Sequence, residues 1–532
     1  MEEKTVDTGV ETKPAFRPAT RLPSYTGLEE IGRGRSGVVY RERDGWGNEL
    51  ACKVFDSRGL TKLVQWIFLG SPNPYMWNED AIRCAHLRRE ILRELLEVWF
   101  EGRLRVAGSH GFAWNDPHRA FELQTEFVHG RPPGLHHPLR ARRDDRLHEI
   151  ADELMPVLCA KLVEAGFVGS VWQAGRGNPV ALNNFLLEPD GRWAWIDLES
   201  GVPALAALDP RALLGFYVPL AIRLRRAPFD DADTTRLRAY VEGDDRLGHL
   251  REAVDELEQR QRRWKSLRRI DRAIGYRLGR GDIDEIDAAW FRKHPVRWYA
   301  RETRRALSKA FRKLPELARR LVRKLARIPW RALAVGAGRF LTSQEYRARL
   351  ARGYVNGRID AWRERNQMSS ADAECLRGHV EREESSDYLT DFGVHLAIKP
   401  FVKSIEYWVC PLLFAAGLIS GGTLAFVLLT AGALARTAYT GGRLVQSTLR
   451  GREKPWIALF VGVLPVVGNF AYPLQLLYSS RIEEDDLARF ILYDGCARIG
   501  EKLPIWGGRD TLTEHRLNRL PDRLVKLRKS PG

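Results

Sequence analysis

The stretch from Ile31 to Phe55, IGRGRSGVVYRERDGWGNELACKVF, restricts the fold of this chain more than any other. It contains Gly32-x-Gly34-x-x-Gly37-x-Val39, a spacing shared by dinucleotide-binding turns and glycine-rich phosphate loops. A dinucleotide fold needs a helix directly after the third glycine. Here the following residues read as a strand, an Asp44-Gly45 turn and a second strand, so the glycines belong to a β-hairpin. A Walker-type Gly-Lys-Ser/Thr loop occurs nowhere in the sequence, which removes the main rival for phosphate binding.

A chain of 532 residues is too long for one core and predicts roughly two to four domains. Short β-type runs alternate with helical patterns up to about residue 255, and helical, strongly basic sequence follows. Residues 1–26 form a polar tail whose acidic start lacks the basic and apolar regions of a secretory signal. The six cysteines stand singly, with no Cys-x-x-Cys pair, which argues against a zinc ribbon or a disulfide framework and for a reducing compartment. His136-His137 and Glu514-His515 lack the spacing of a metal site.

The second strand of the hairpin ends in Ala51-Cys52-Lys53-Val54, where a lysine beneath a glycine-rich hairpin reaches the α- and β-phosphates of a nucleotide. In these residues the chain resembles the protein-kinase-like superfamily. The resemblance implies an α+β bilobal domain over residues 27–255, with an N-lobe at 27–128, a C-lobe at 129–255, and ATP and Mg2+ as cofactors. It implies that Gly32, Gly34, Gly37 and Val39 cover the phosphates above Lys53. It also implies a helix bearing the lysine's glutamate partner. The helical pattern from Asn78 to Phe100 offers Glu90, with Glu94 on the same face. Glu126 and Val128 fall at the expected hinge, whose backbone would bind adenine. Asn184 and Asp197, separated by a predicted hairpin, match the two metal ligands in type and spacing.

The chain departs from the pattern in three ways. The catalytic Asp expected five residues before the metal-binding Asn is missing: that position is Pro179 counted from Asn184, or Asn178 counted from Asn183. Gln173, Arg176 and Asn178 remain as candidates for its place. Glu199 stands where the family has the glycine of Asp-Phe-Gly, and the literal Asp391-Phe392-Gly393 follows no Asn-bearing hairpin and reads as coincidence. No Ala-Pro-Glu segment follows Asp197. This compact form resembles lipopolysaccharide-core kinases or the atypical kinases of quinone biosynthesis more than peptide kinases. The expectation is a membrane-anchored phosphotransferase, with Lys53, Glu90 and Asp197 as its catalytic residues, acting on a lipid or envelope-saccharide precursor. The alternative is a pseudokinase that senses nucleotide without transferring phosphate.

The second half predicts an all-α region with transmembrane or re-entrant helices. Of the net charge of +17, residues 291–331 supply 15 − 2 = +13, from fifteen Lys or Arg against Glu302 and Glu316. Leu307, Leu314, Leu321 and Leu325 lie on one stripe amid these charges, so residues 256–345 read as a basic amphipathic linker suited to anionic lipid rather than nucleic acid. A helical connector (346–402) leads to a membrane region (403–480) and a cytoplasmic tail (481–532). Residues 407–435 and 456–478 contain no charge and exceed the roughly 18 to 20 residues of a membrane span. Placing basic residues 436–454 inside favours a hairpin in 407–435, turning at Ser420-Gly421-Gly422, and an integral membrane protein with a cytoplasmic kinase-like domain.

Overall fold

The computed structural model describes residues 20–21, 29–34, 36–133, 145–178, 181–199 and 210–326. It also describes 335–502 apart from 337, 341, 365–367, 383–389, 395–401, 403–415, 419, 452–453, 464–470 and 479–484. The chain divides into two compact units, Met1–Pro133 with Glu149–Ala310, and Gly134–His148 with Phe311–Gly532.

In the first unit a six-stranded sheet has the order β1-β6-β7-β4-β3-β2. Its strands are β1 (Thr20–Arg21), β2 (Glu29–Arg33), β3 (Gly37–Arg43), β4 (Glu49–Phe55), β6 (Ser109–Asn115) and β7 (Ala120–Glu126). The expected hairpin is β3–β4, with Val39 opposite Lys53. Asp44 closes its turn by accepting the backbone N–H groups of Trp46 and Asn48 at 2.9 and 2.8 Å. Along β4 the side chains of Leu50, Cys52 and Val54 are buried, and the two-residue period turns Lys53 to the opposite face.

Helix α1 (Gly59–Leu69) was not evident in the sequence, and the segment after it is core rather than a loop: Ser71, Asn73, Tyr75 and Met76 are all buried. The predicted helix is α2 (Glu79–Phe100). Asn78 caps it by accepting from the Ala81 N–H at 2.8 Å, and Glu79 and Asp80 occupy the positive end of its dipole. Ile82, Leu92, Leu95 and Leu96 bury its apolar face, and the adjoining face buries Arg88 and Arg89. A buried guanidinium is tolerated only when fully paired.

A smaller sheet pairs β5 (Leu104–Val106) in parallel with β9 (Trp193–Trp195), which pairs antiparallel with β8 (Phe185–Leu187). A π-helical turn, Glu149–Leu154, leads into the helix Met155–Glu164.

The expected domain boundary near 255 is too early. The helix Arg251–Ser266 carries Glu256 and Arg260, which pair with Arg83 and Asp80, each at 2.8 Å. The next helix, Arg269–Gly279, lies so close to the segment before α2 that a Cβ on Gly275 would stand 2.4 Å from the Trp77 ring. Trp298 is buried with Ile274, Ile283 and Phe291, and Glu302 and Arg305 pair with Arg277 and Asp282. The start of the basic helix Pro295–Ala326 is therefore part of the folded unit, and the charges of Arg301 and Arg305 serve packing there. Further along, Arg312 and Arg319 are exposed.

The second unit is helical, with Gln344–Glu364, Ser370–Glu381, Gly421–Leu449, Trp456–Gly462, Ala471–Tyr478 and Asp485–Lys502. Its core gathers Val355, Ile359, Trp362, Leu376, Phe392, Leu476 and Leu487. Ser420 caps Gly421–Leu449 by accepting from the Thr423 N–H, so the proposed hairpin turn is a helix start; the first arm, 407–415, lies outside the described residues. Within 456–478 the described residues form two short helices, Trp456–Gly462 and Ala471–Tyr478, and residues 464–470 lie outside the described residues. The two helices are joined where Gln475 Oε1 accepts from the Ile457 and Ala458 N–H groups. Among the described residues no helix is long and apolar enough to cross a membrane. Asp391 pairs with Arg443 at 2.7 Å and accepts from the Tyr439 hydroxyl at 2.8 Å, and Phe392 is core, so Asp391-Phe392-Gly393 is a structural element.

Candidate functional site

The glycine turn separates its glycines by function. A Cβ on Gly37 would lie 2.3 Å from the Val54 carbonyl oxygen, so strand packing alone demands glycine there. A Cβ on Gly32 would meet nothing within 4 Å, and one on Gly34 only the Gly37 carbonyl oxygen, at 3.9 Å. Gly32 and Gly34 thus face open space, the condition for close approach by a phosphate.

Beneath this turn the Lys53 ammonium lies 2.6 Å from Asp197 Oδ1 and 3.7 Å from Glu199 Oε2. Asp197 follows β9, and its side chain keeps 37% of its surface exposed, whereas the Glu199 side chain keeps 1%. The predicted β8–β9 hairpin closes on Gly191, at φ +89°, and places Asn184 at its start, where the Asn184 carbonyl accepts the Ile196 N–H at 2.8 Å. The fold therefore brings Lys53 to Asp197 and ties Asn184 through its carbonyl to Ile196, the residue before Asp197.

Glu90 is not the lysine's partner here. Its carboxylate accepts the Ser109 N–H at 3.4 Å and lies 3.7 Å from Arg93. The residue one step earlier on α2, Arg89, turns inward instead and binds Glu199 through the Nε–Nη2 edge of its guanidinium, at 3.1 and 2.9 Å. Arg89 also donates to the Ala107 and Ile196 carbonyls, each at 2.9 Å, so its charge is fully met. Burial pushes the Glu199 carboxyl up, but Arg89 and Lys53 outweigh it and hold the group below the ordinary carboxylate value. Glu94 lies beside Arg93, also away from Lys53.

At the hinge, the Glu126 N–H is used by the Gly108 carbonyl, and its carboxylate pairs with Arg105. Val128 is buried against Ala107 and Ala194. Among the described residues the Val128 N–H remains without a backbone partner beside the β7 end.

Of the three candidates for the missing carboxylate's place, Gln173 is the one bonded to Asn184. The Asn184 side chain donates to the Gln173 carbonyl at 2.9 Å. The Gln173 amide donates to the Glu199 carbonyl at 2.9 Å and accepts from Asn178 at 3.4 Å. Arg176 lies elsewhere, its guanidinium 4.1 Å from the centre of the Phe216 ring. Asn178 supports Gln173, and both are buried. The loop from 173 to 184 is longer than the family spacing, which hid Gln173 from a count of residues before Asn184.

Among the described residues no group of three or more His, Cys, Asp or Glu could hold a metal ion unaided. A magnesium ion brought by a nucleotide needs only one or two protein ligands, with the remainder from phosphates and water. Asp197 and the Asn184 amide oxygen are suitable donors; Glu199, locked to Arg89, is not.

No known family description matches the chain, and no curated protein matches it. Several solved structures do. PpkA-294 in its apo form is 14% identical and covers 44% of this chain and 94% of its own, with a TM-score of 0.19. An apo pseudokinase is 17% identical over 45% of this chain and 92% of its own, with a TM-score of 0.20. Rv3197 of Mycobacterium tuberculosis, in complex with erythromycin, is 13% identical over 46% and 77%, with a TM-score of 0.18. At such scores the likeness carries no argument. The resemblance of the first unit to kinase-like domains rests on its glycine turn, its lysine strand and the Asn184/Asp197 hairpin.

Proposed function

We propose that the first unit binds magnesium nucleotide in a kinase-like cleft and acts as a nucleotide-sensing pseudokinase. The observation that carries this reading is Gln173 at the position next to Asn184, with both ends of its amide engaged. A primary amide does not take up a proton at neutral pH, so the site keeps groups for phosphate and metal and lacks a base. When bound, the metal would neutralise phosphate charge between Asp197 and Asn184. Lys53 would then pass from Asp197 to the phosphates, and Val128 would hold the base.

A phosphotransferase acting on a lipid or envelope-saccharide precursor is the second reading. It is supported by the retained Lys53, Asn184 and Asp197, because phosphoryl transfer depends mostly on positioning and charge neutralisation. A missing base removes about 10² to 10⁴-fold rather than all activity. An anionic membrane surface as partner is supported by the +13 charge of residues 291–331 and the exposure of Leu307, Arg312 and Arg319.

The test is binding of a fluorescent ATP analogue with and without Mg2+, together with γ-phosphate release in anionic liposomes, for wild type and Asp197→Ala. Magnesium-dependent binding that is lost in the variant, with no release in either protein, is expected. Release that vanishes in Asp197→Ala would establish the phosphotransferase, and absence of binding would overturn both readings.

A further inference from the structure

The carboxylate that the kinase-like pattern implies on the helix stands in this chain on the loop, where that pattern has an uncharged glycine, and the helix carries an arginine instead. The helix buries Arg89, and the loop, two residues after Asp197, buries Glu199. Glu199 is the second carboxylate near the Lys53 ammonium, at 3.7 Å, and it is held by a two-point hydrogen bond to Arg89. Glu90, the acidic residue beside Arg89 on α2, is turned toward Ser109 and Arg93.

We propose that Glu199 is the positioning residue for Lys53, replacing a helix glutamate, and that Arg89 serves to fix Glu199. Asp197 cannot perform this role while ligating a metal, because its oxygens then face the cation. Glu199 can, since no other step uses it and its carboxylate cannot turn away without leaving Arg89 buried and unpaired. The lysine's anchor is thereby carried on the same short segment as the metal ligand, so both cationic partners of the nucleotide are set by residues 197 to 199.

The nucleotide-affinity part of the test rests on the proposed binding function; the chemical part does not. Four full-length proteins are compared: wild type, Glu199→Gln, Glu90→Gln and the paired Arg89→Gln/Glu199→Gln, which removes both buried charges together and so protects the fold if the single variant fails. The first measurement is Kd for Mg2+ with a fluorescent ATP analogue. The second is the rate at which acetic anhydride modifies Lys53 in the absence of nucleotide, read by peptide mass spectrometry with Lys62 as internal reference.

Loss of the Glu199 charge is expected to raise Kd about tenfold and to speed Lys53 acetylation several-fold relative to Lys62 in both Glu199 variants. Glu90→Gln is expected to stay within about twofold of wild type in both measurements. A purely structural Glu199 would lower the melting temperature while leaving the Lys53:Lys62 acetylation ratio unchanged, and that result overturns the proposal. So does a Glu90→Gln effect equal to or larger than that of Glu199→Gln. If wild type binds no nucleotide, the binding function falls and the acetylation ratio still decides the role of Glu199.

Discussion

Replacing Tyr75 by Phe tests how the segment before α2 is joined to the rest of the first unit. The Tyr75 hydroxyl is wholly buried, donates to Asp230 Oδ2 at 2.5 Å and accepts from the Arg88 guanidinium at 2.6 Å. Burial also pushes the hydroxyl's pKa well above its ordinary value, so it remains a donor across the accessible pH range. Phe preserves the ring contacts with Phe55 and Phe229, at 5.2 and 5.6 Å, and removes only the oxygen. Two hydrogen bonds to charged groups, at about 1.5–3 kcal/mol each, set an upper limit of about 3–6 kcal/mol. Arg88 and Asp230 already stand 4.0 Å apart and can close to a direct pair, which recovers part of the loss and leaves about 2–3 kcal/mol. The assay is amide hydrogen exchange of residues 74–100 and 229–242 by mass spectrometry. Local opening should rise about 30- to 150-fold in both segments together. A rise below about threefold, or one confined to a single segment, would refute the idea that this hydroxyl joins them.

Three further outcomes follow from the geometry. Gly37→Ala should fold poorly, because its Cβ would overlap the Val54 carbonyl oxygen, whereas Gly34→Ala should keep the wild-type melting temperature within a few degrees and lose nucleotide affinity; thermal melting and a binding titration separate them. A chain ended at residue 255 should yield insoluble protein and one ended at 310 soluble protein, because Trp298, Phe291 and Ile274 form a core beyond the shorter cut; a solubility and melting comparison decides. Burial pushes the Asp231 carboxyl up, but Lys265 and Arg226 outweigh it and hold its pKa below the ordinary 3.8. Burial pulls the Lys265 ammonium down to about 8, so both partners are charged between that value and 3.8, and the carboxylate's contribution is lost on the acid side as pH falls below 3.8 toward the depressed value. As pH falls below 3.8 the wild-type melting temperature should drop more steeply than that of Asp231→Asn/Lys265→Met; parallel curves would exclude the pair as a source of acid sensitivity.

The parts of the site legible in the sequence are those encoded within short windows. Gly32, Gly34, Gly37 and Lys53 fall within the consecutive antiparallel strands β2, β3 and β4, and Asn184 and Asp197 flank a further hairpin, so strand and turn signals suffice to place them. Glu199 was visible only as an anomaly, because Arg89 lies 110 positions away and an arginine on a charged helix reads as surface. Gln173 was obscured by a lengthened loop. Helix α1 begins at Gly59, with no side-chain cap at Arg58, and the basic charge of residues 256–310 resembled a linker because its ion pairs with Asp80, Asp282 and Glu302 join distant segments.

The parallel pairing of β5 with β9 has a consequence for how such a pocket can be regulated. β5 is the continuation of the chain leaving α2, and β9 leads directly into Asp197, with Leu104, Arg105 and Val106 in register with Trp193, Ala194 and Trp195. The helix and the metal loop are thus stitched together by main-chain hydrogen bonds as well as by Arg89. A swinging helix, the usual on–off lever of such clefts, would here have to unzip a buried sheet. α2 and the segment of Asp197 are thus held as one piece, and any movement of the helix away from Lys53 has to break the β5–β9 pairing and the Arg89–Glu199 bonds together.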